Sequence, residues 1–325
     1  MPTRRDLLTQ ATAVGLALGG RMAYAKASQP STRVTFEVPA GACDCHTHII
    51  GDPAKFPFFP GRTYTPEPAS PEEMAALHRA LHIQRVVIVT PSFYGADNSA
   101  TLYGMKARGS DARGIAVIDE RTSAGGLQEM QRAGVRGVRL NLTTGGQNDP
   151  SIARRRFQST LEQVRPLGWH IQMNTNLRVI AGISSLIEAS GIPIVFDHFG
   201  GARASLTLTQ PGWAELIDLV RSGKAYVKVS APYTVSTAAP DYPDVAPFAT
   251  ALVAANPDRI IWGSDWPHTS VVPAGVTRAL RLATEITPLG TIDDGRILNQ
   301  FAVWVPDAAT RKKILVDNPA RLYGF

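Results

Sequence analysis

Asp44-Cys45-His46-Thr47-His48 places two histidines two residues apart near the start of the folded part of the chain. Side chains alternate along a β-strand, so Asp44, His46 and His48 are expected on one face and Cys43, Cys45 and Thr47 on the other. Two imidazoles on one face suggest a metal site or an oxyanion site, with a strand carrying two incidental histidines as the plain alternative. The rest of the chain decides between them. Short apolar, β-branched runs recur at 42–49, 85–90, 114–118, 135–142, 169–174, 194–198, 225–230 and 260–265, with helix-like segments between most of them. Eight runs is the count required for a single (β/α)8 barrel of the α/β class.

One connecting helix is well marked. Ser70 is an N-cap candidate, Pro71 suits the first turn, and Glu73 at the third position closes a capping box. Met74, Leu77 and Leu81 continue the stripe as core residues. Further helices are read at 127–133, 157–164, 179–189, 213–221 and 245–255. The loops 51–68 and 230–244 are polar and rich in glycine or proline, and they follow predicted strands, where barrel enzymes carry their active-site loops. No repeat or low-complexity stretch divides the chain, so residues 40–325 are read as one domain, preceded by an extension at 28–39.

Residues 1–27 read as a twin-arginine export signal. Arg4-Arg5 precedes Leu7-Leu8, residues 11–20 are apolar and uncharged, and Ala23-Tyr24-Ala25 and Ala25-Lys26-Ala27 each fit a cleavage site. The apolar run is too short for a stable membrane span. Passage through the twin-arginine translocase and cleavage after Ala25 or Ala27 are expected to release a soluble periplasmic protein. N-terminal sequencing of exported protein that begins at Met1 would contradict this. The segment carries Arg4, Arg5, Arg21 and Lys26 against Asp6, so its removal lowers the formal charge from +6 to +3. That balance, and the absence of basic runs interleaved with aromatics, excludes nucleic acid as a partner. Arg154-Arg155-Arg156 is read as a solvated helix face. Cys43 and Cys45 are the only cysteines and lie too far apart along a strand for an easy bridge, so free, outward-facing thiols are expected.

The informative polar residues fall at or just after the ends of these runs. His46 and His48 close the first, Ser92 follows the second, Arg139 and Asn141 close the fourth, His198 ends the sixth and Asp265 ends the eighth. A barrel brings all its strand C-termini to one rim, so three histidines and one aspartate are expected to meet there. His78 and His82, spaced i, i+4 on the capped helix, are not at strand ends and are read as exposed. His170 starts its strand and is read as structural.

Several segments resemble the amidohydrolase superfamily. They are Gly41-Ala42-Cys43-Asp44-Cys45-His46-Thr47-His48, Phe56-Pro57-Phe58-Phe59-Pro60-Gly61-Arg62-Thr63-Tyr64-Thr65-Pro66, Val195-Phe196-Asp197-His198-Phe199-Gly200, Trp262-Gly263-Ser264-Asp265-Trp266-Pro267-His268 and Asp317-Asn318-Pro319-Ala320-Arg321-Leu322-Tyr323-Gly324. Taken in order they are similar to the branch typified by 2-pyrone-4,6-dicarboxylate lactonase, and the match spans nearly the whole mature chain. The resemblance implies a distorted (β/α)8 barrel and hydrolysis at a carbon centre, most often of a lactone.

The chemistry of the residues agrees. Lactone hydrolysis needs an activated water and a stabilised oxyanion. Asp265 is read as the general base, and His46, His48 and His198 as the electrophilic group. His268 is read as orienting the substrate or sharing in proton transfer. Most of the superfamily binds one or two divalent ions, helped by a lysine or glutamate on a middle strand. Here that strand reads His170-Ile171-Gln172-Met173-Asn174, so the site is read as metal-free or as holding one zinc-like ion on His46, His48, His198 and Asp265.

The resemblance also places Tyr64, Ser92 and Arg139 at substrate-binding positions. Asn174 stands near a tyrosine of the lactonase, and arginines expected in the 141–146 and 228–234 segments are missing. A lactone with one carboxylate, or a neutral sugar or aromatic-breakdown lactone, therefore fits better than the pyrone dicarboxylate. A metal-dependent decarboxylase of an aromatic or unsaturated acid, and a non-catalytic periplasmic binding barrel, are the alternatives.

Overall fold

The computed structural model describes residues 26–269 and 282–325. The predicted export signal, as far as residue 25, lies outside the described residues. Each predicted apolar run overlaps a strand, the third of which starts two residues before its run: β1 Cys43–Thr47, β2 Arg85–Val89, β3 Ala112–Ala116, β4 Val135–Asn141, β5 His170–Asn174, β6 Ile194–Phe196, β7 Ala225–Ser230 and β8 Ile260–Gly263. They pair in parallel and in chain order. Helices cover the outside, so nearly every strand residue is buried, which explains runs of valine and isoleucine in place of a polar–apolar alternation.

The helix α1, Pro71–Ala80, carries the predicted capping box, with Glu73 N–H donating to Ser70 Oγ at 3.2 Å and Ser70 N–H to Glu73 Oε2 at 2.9 Å. The helix Ser99–Arg108, α2, has no clear apolar stripe in the sequence, because Gly104 interrupts it. That glycine is needed where the helix packs on Ile49, just after β1, and on Ile88 of β2, since a Cβ there would stand 2.5 Å from Ile49. The helix read at 157–164 begins at Pro150, capped by Asp149. Among the described residues no helix is long and apolar enough to cross a membrane.

β1 breaks the alternation expected of it. Its register with β2 shifts between Asp44 and Thr47. Asp44 points outward to His78 on α1, with Oδ2 3.3 Å from Nε2, and Thr47 points outward to Met74. Cys43 and Cys45 pack inside the barrel with Val87, Val89, Ile115, Val195, Tyr226 and Ile261. Thus Cys45 and His46, neighbours in sequence, both face inward, as a bulge permits. The thiols are free as expected, but they are buried in the barrel and do not face outward. His78 is likewise buried, not exposed, because Asp44 supplies its partner; His82 is exposed.

The barrel closes at this irregular strand. Asp265 N–H donates to His46 O at 2.8 Å, and His48 N–H donates to Trp266 O at 2.9 Å. Gly263 allows the approach, since a Cβ there would lie 2.9 Å from the His46 nitrogen. The N-terminal extension is bound to the barrel. Trp266 Nε1 donates to Ser28 O at 3.0 Å, and Ser31 and Thr32 donate their hydroxyls to Asp293 at 2.6 Å.

Candidate active site

The closing seam sets His46 and His48 beside Asp265. Asp265 has φ 64° and His198 has φ 47°, conformations uncommon for residues other than glycine and often found at functional sites. They turn both side chains toward one point. Asp265 Oδ1 lies 3.4 Å from His46 Nε2, 3.5 Å from His48 Nε2 and 3.7 Å from His198 Nε2.

The opposite edges of the rings are held from outside. His48 Nδ1 faces Val89 O at 2.8 Å, and His198 Nδ1 faces Ser230 Oγ at 2.9 Å. A carbonyl only accepts, so His48 Nδ1 carries a proton, and a neutral ring then turns a bare Nε2 toward the carboxylate. His46 Nδ1 has two competing partners, Lys228 Nζ at 3.0 Å and Asp197 Oδ1 at 3.2 Å. Donation from Lys228 leaves the His46 proton on Nε2; donation to Asp197 leaves Nε2 bare.

Beneath the histidines lies a buried ionic cluster whose Arg139 and Asp197 reach the cavity. Lys228 donates to Gln172 Oε1 at 2.7 Å and lies 3.4 Å from Asp197 Oδ1. Arg139 Nε and Nη2 reach Asp197 Oδ2 at 3.0 and 2.9 Å. Burial pushes Lys228 down, against the opposing pull of Asp197. For Asp197 burial acts upward, but His46, Lys228 and Arg139 outweigh it and hold the carboxyl well below its ordinary range. Asp265 is held low in the same way, with burial outweighed by His198, His48 and His46. Burial pushes both His46 and His198 down. The base position is therefore a carboxylate held ionised by the rings around it, while burial disfavours the charged form of His46 and His198.

A cavity of about 620 Å³ opens onto this point. His48, Tyr64, Ser92, Arg139, Asn174, His198 and Asp265 line it, and His46 lies buried just behind. Asn141 does not line the cavity. Neither does His268, which is buried with Nε2 2.9 Å from Asp294 Oδ2 and Nδ1 3.0 Å from the Tyr233 hydroxyl. Burial would push His268 down, but Asp294 outweighs it and raises it. His170 packs against Tyr323, and burial with Lys228 nearby pushes it down to about 3, so its ring is neutral.

Lys228, Asp197, Ser230, Tyr233 and Arg203 also belong to this region, although sequence reasoning does not reach them. A lysine between two valines on a buried strand was the one available signal for Lys228. Asp197 was quoted within a motif, without a role.

The donor set fits a divalent ion. His46, His48 and Asp265 present atoms within 4.8 Å of one another, as do His46, Asp197 and His198. His46 Nε2 is buried with no hydrogen-bond partner. The unshielded His48 Nε2 opposite a carboxylate oxygen calls for a proton or a cation between them.

The Amidohydrolase family model matches residues 43–325, and the chain belongs to that family. It is therefore an enzyme, and the binding-only reading is set aside. A 4-sulfomuconolactone hydrolase of Rhizobium radiobacter is 35% identical over 299 residues, covering 90% of this chain and 93% of that protein. A 2-pyrone-4,6-dicarboxylate hydrolase of Comamonas testosteroni is 32% identical over 309 residues, covering 92% and 94%. Among solved structures, a putative 2-pyrone-4,6-dicarboxylic acid hydrolase from Pseudomonas putida superposes with TM-score 0.71 at 31% identity, covering 88% of this chain and 98% of that one.

Proposed function

We propose that the enzyme opens a lactone ring by adding water to its carbonyl carbon. The observation that carries this reading is the convergence of three imidazole Nε2 atoms on Asp265 Oδ1 at the floor of the cavity. The names of the relatives support the lactone as substrate class. Asp265 Oδ1 takes a proton from the attacking water and returns it to the departing ring oxygen. His198, with Nδ1 accepting from Ser230, carries its proton on Nε2 and donates it toward the developing oxyanion.

The bare edge of His48 favours one divalent ion held by His46, His48 and Asp265, which leaves His198 its Nε2 proton. Such an ion, when bound, would polarise the carbonyl and acidify the water. Asp197 would then accept the His46 Nδ1 proton and keep that ring oriented. Metal analysis of purified protein is expected to find about one ion per chain, the mononuclear case. Full activity in metal-free protein would remove the ion from this account.

The cavity wall narrows the substrate. Arg139 is committed to Asp197, and Thr144, Asn148, Asn174, Asn176 and Thr234 present neutral hydroxyl and amide groups. Asn174 Nδ2 donates to Thr144 Oγ1 at 3.1 Å and Asn176 Nδ2 to Asn148 Oδ1 at 2.7 Å, which joins two sides of this wall. Arg203 lines the cavity, is exposed, and makes no salt bridge among the described residues. The site therefore suits a polar lactone with a single anionic group set against Arg203.

A panel of neutral, monoacidic and diacidic lactones tests this reading. The monoacid is expected to be preferred, and Arg203→Gln to raise its KM about tenfold, the loss of one exposed charge-assisted contact of about 1.4 kcal/mol, with the neutral lactones unaffected. A diacid as best substrate would contradict the reading. We further propose that the Arg4-Arg5 segment sends the enzyme through the twin-arginine translocase to the periplasm.

A further inference from the structure

The two oxygens of Asp265 have different surroundings. Oδ1 faces the imidazoles and the cavity, whereas Oδ2 accepts from the Tyr233 hydroxyl at 2.8 Å. Tyr233 sits in the short turn Pro232–Thr234 that follows β7, half-buried and outside the cavity lining. Its oxygen also lies 3.0 Å from His268 Nδ1, and His268 Nε2 lies 2.9 Å from Asp294 Oδ2. Asp294 is the first residue of the helix Asp294–Trp304, whose N-cap Asp293 is fastened by Ser31 and Thr32.

Donor counting gives this row one direction. Tyr233 has a single proton, and an ionised Asp265 can only accept, so the proton points to Oδ2. The phenol oxygen then accepts from His268 Nδ1–H, and the joint between His268 Nε2 and Asp294 Oδ2 holds one further proton, on the ring as an imidazolium or on the carboxyl that burial pushes upward. Every joint is satisfied in that sense. With Asp265 ionised, reversing either bond of the Tyr233 oxygen sets two lone pairs or two protons face to face.

We propose that Tyr233, His268 and Asp294 are positioning residues that lock the Asp265 carboxylate by its Oδ2, so that Oδ1 alone meets the reacting water. The inference rests on Asp265 as the base in the proposed function. An aspartate carboxylate has a broad, weakly restrained terminal torsion, and the Tyr233 hydroxyl is a directional donor that fixes it at Oδ2. The neighbouring backbone supports the same end: His268 N–H donates to Asp265 O at 2.8 Å, which ties the row to the residue it serves. The substrate does not touch these side chains, so their loss acts on turnover and not on binding.

Tyr233→Phe removes only the hydroxyl. Its kcat on the best lactone of the panel is expected to fall about 10- to 100-fold, the effect of displacing a reacting group by up to an ångström, with KM within about twofold of wild type. The crystal structure of Tyr233→Phe is expected to show the Asp265 carboxylate turned from its wild-type orientation. Asp265 unmoved in that crystal structure overturns the proposal, whether or not kcat falls, and so does an unchanged kcat. The carboxylate orientation is read without turnover. A wild-type enzyme that opens no lactone therefore defeats the proposed function, while the crystal structure still decides this inference. Should Tyr233→Phe fail to fold, Asp294→Asn, which keeps the shape and removes one charge at the far end, carries the same two readouts.

Discussion

Asp265→Asn is expected to lower kcat for lactone opening by about 10³- to 10⁴-fold, toward the upper end of what a positioned general base contributes. The substitution is nearly isosteric, and the amide oxygen can still accept from Tyr233, so the seam hydrogen bond from Asp265 N–H to His46 O stays in place. What disappears is the carboxylate oxygen at the meeting point of the three rings. An amide cannot take the proton of water. The measurement is kcat on the preferred lactone, with circular dichroism to establish that the variant is folded. Retention of more than about a tenth of wild-type turnover, far above the residue expected after loss of a base, would remove Asp265 from the role assigned to it.

Lys228→Met is expected to destabilise the fold by about 3 kcal/mol, the low end of the cost of removing one partner from a buried ionic group. Methionine approximates the volume of the stem, so the loss is mainly electrostatic. Gln172 Oε1 loses its buried donor and Asp197 Oδ1 the neighbouring ammonium, while Asp197 retains Arg139 as its partner. His46 also loses the ammonium beside Nδ1, so catalysis should weaken along with stability. Denaturant unfolding with an unchanged m-value measures the first effect. A midpoint equal to that of wild type would show that the cluster is not held together by Lys228.

The (β/α)8 order was legible because a sheet covered on both sides leaves uninterrupted β-branched runs, and these survive as a pattern even when their edges shift by two residues. His46, His48, His198 and Asp265 were legible because each stands at a strand C-terminus, where the barrel itself brings distant residues together. The direction of the β1 side chains was not. Strict alternation put Cys45 opposite His46, whereas the shift in register between Asp44 and Thr47 turns both inward and sends Asp44 to His78. A bulge of this kind is set by the strand's closure against β8 and leaves no local signature. Lys228 and Asp197 escaped for a related reason: their meaning depends on each other, across strands β7 and β6, and on Arg139 from β4. His268 and Tyr233 have roles that arise only from loops that fold back behind Asp265.

The most direct test follows acid and carbon dioxide release together while the wild-type enzyme acts on the lactone panel. Hydrolysis by Asp265-activated water should release one equivalent of acid for each lactone ring opened, with no carbon dioxide, and Asp265→Asn should abolish that release. Carbon dioxide evolved from an acid substrate, with no lactone opened, would contradict the account and make the enzyme a decarboxylase.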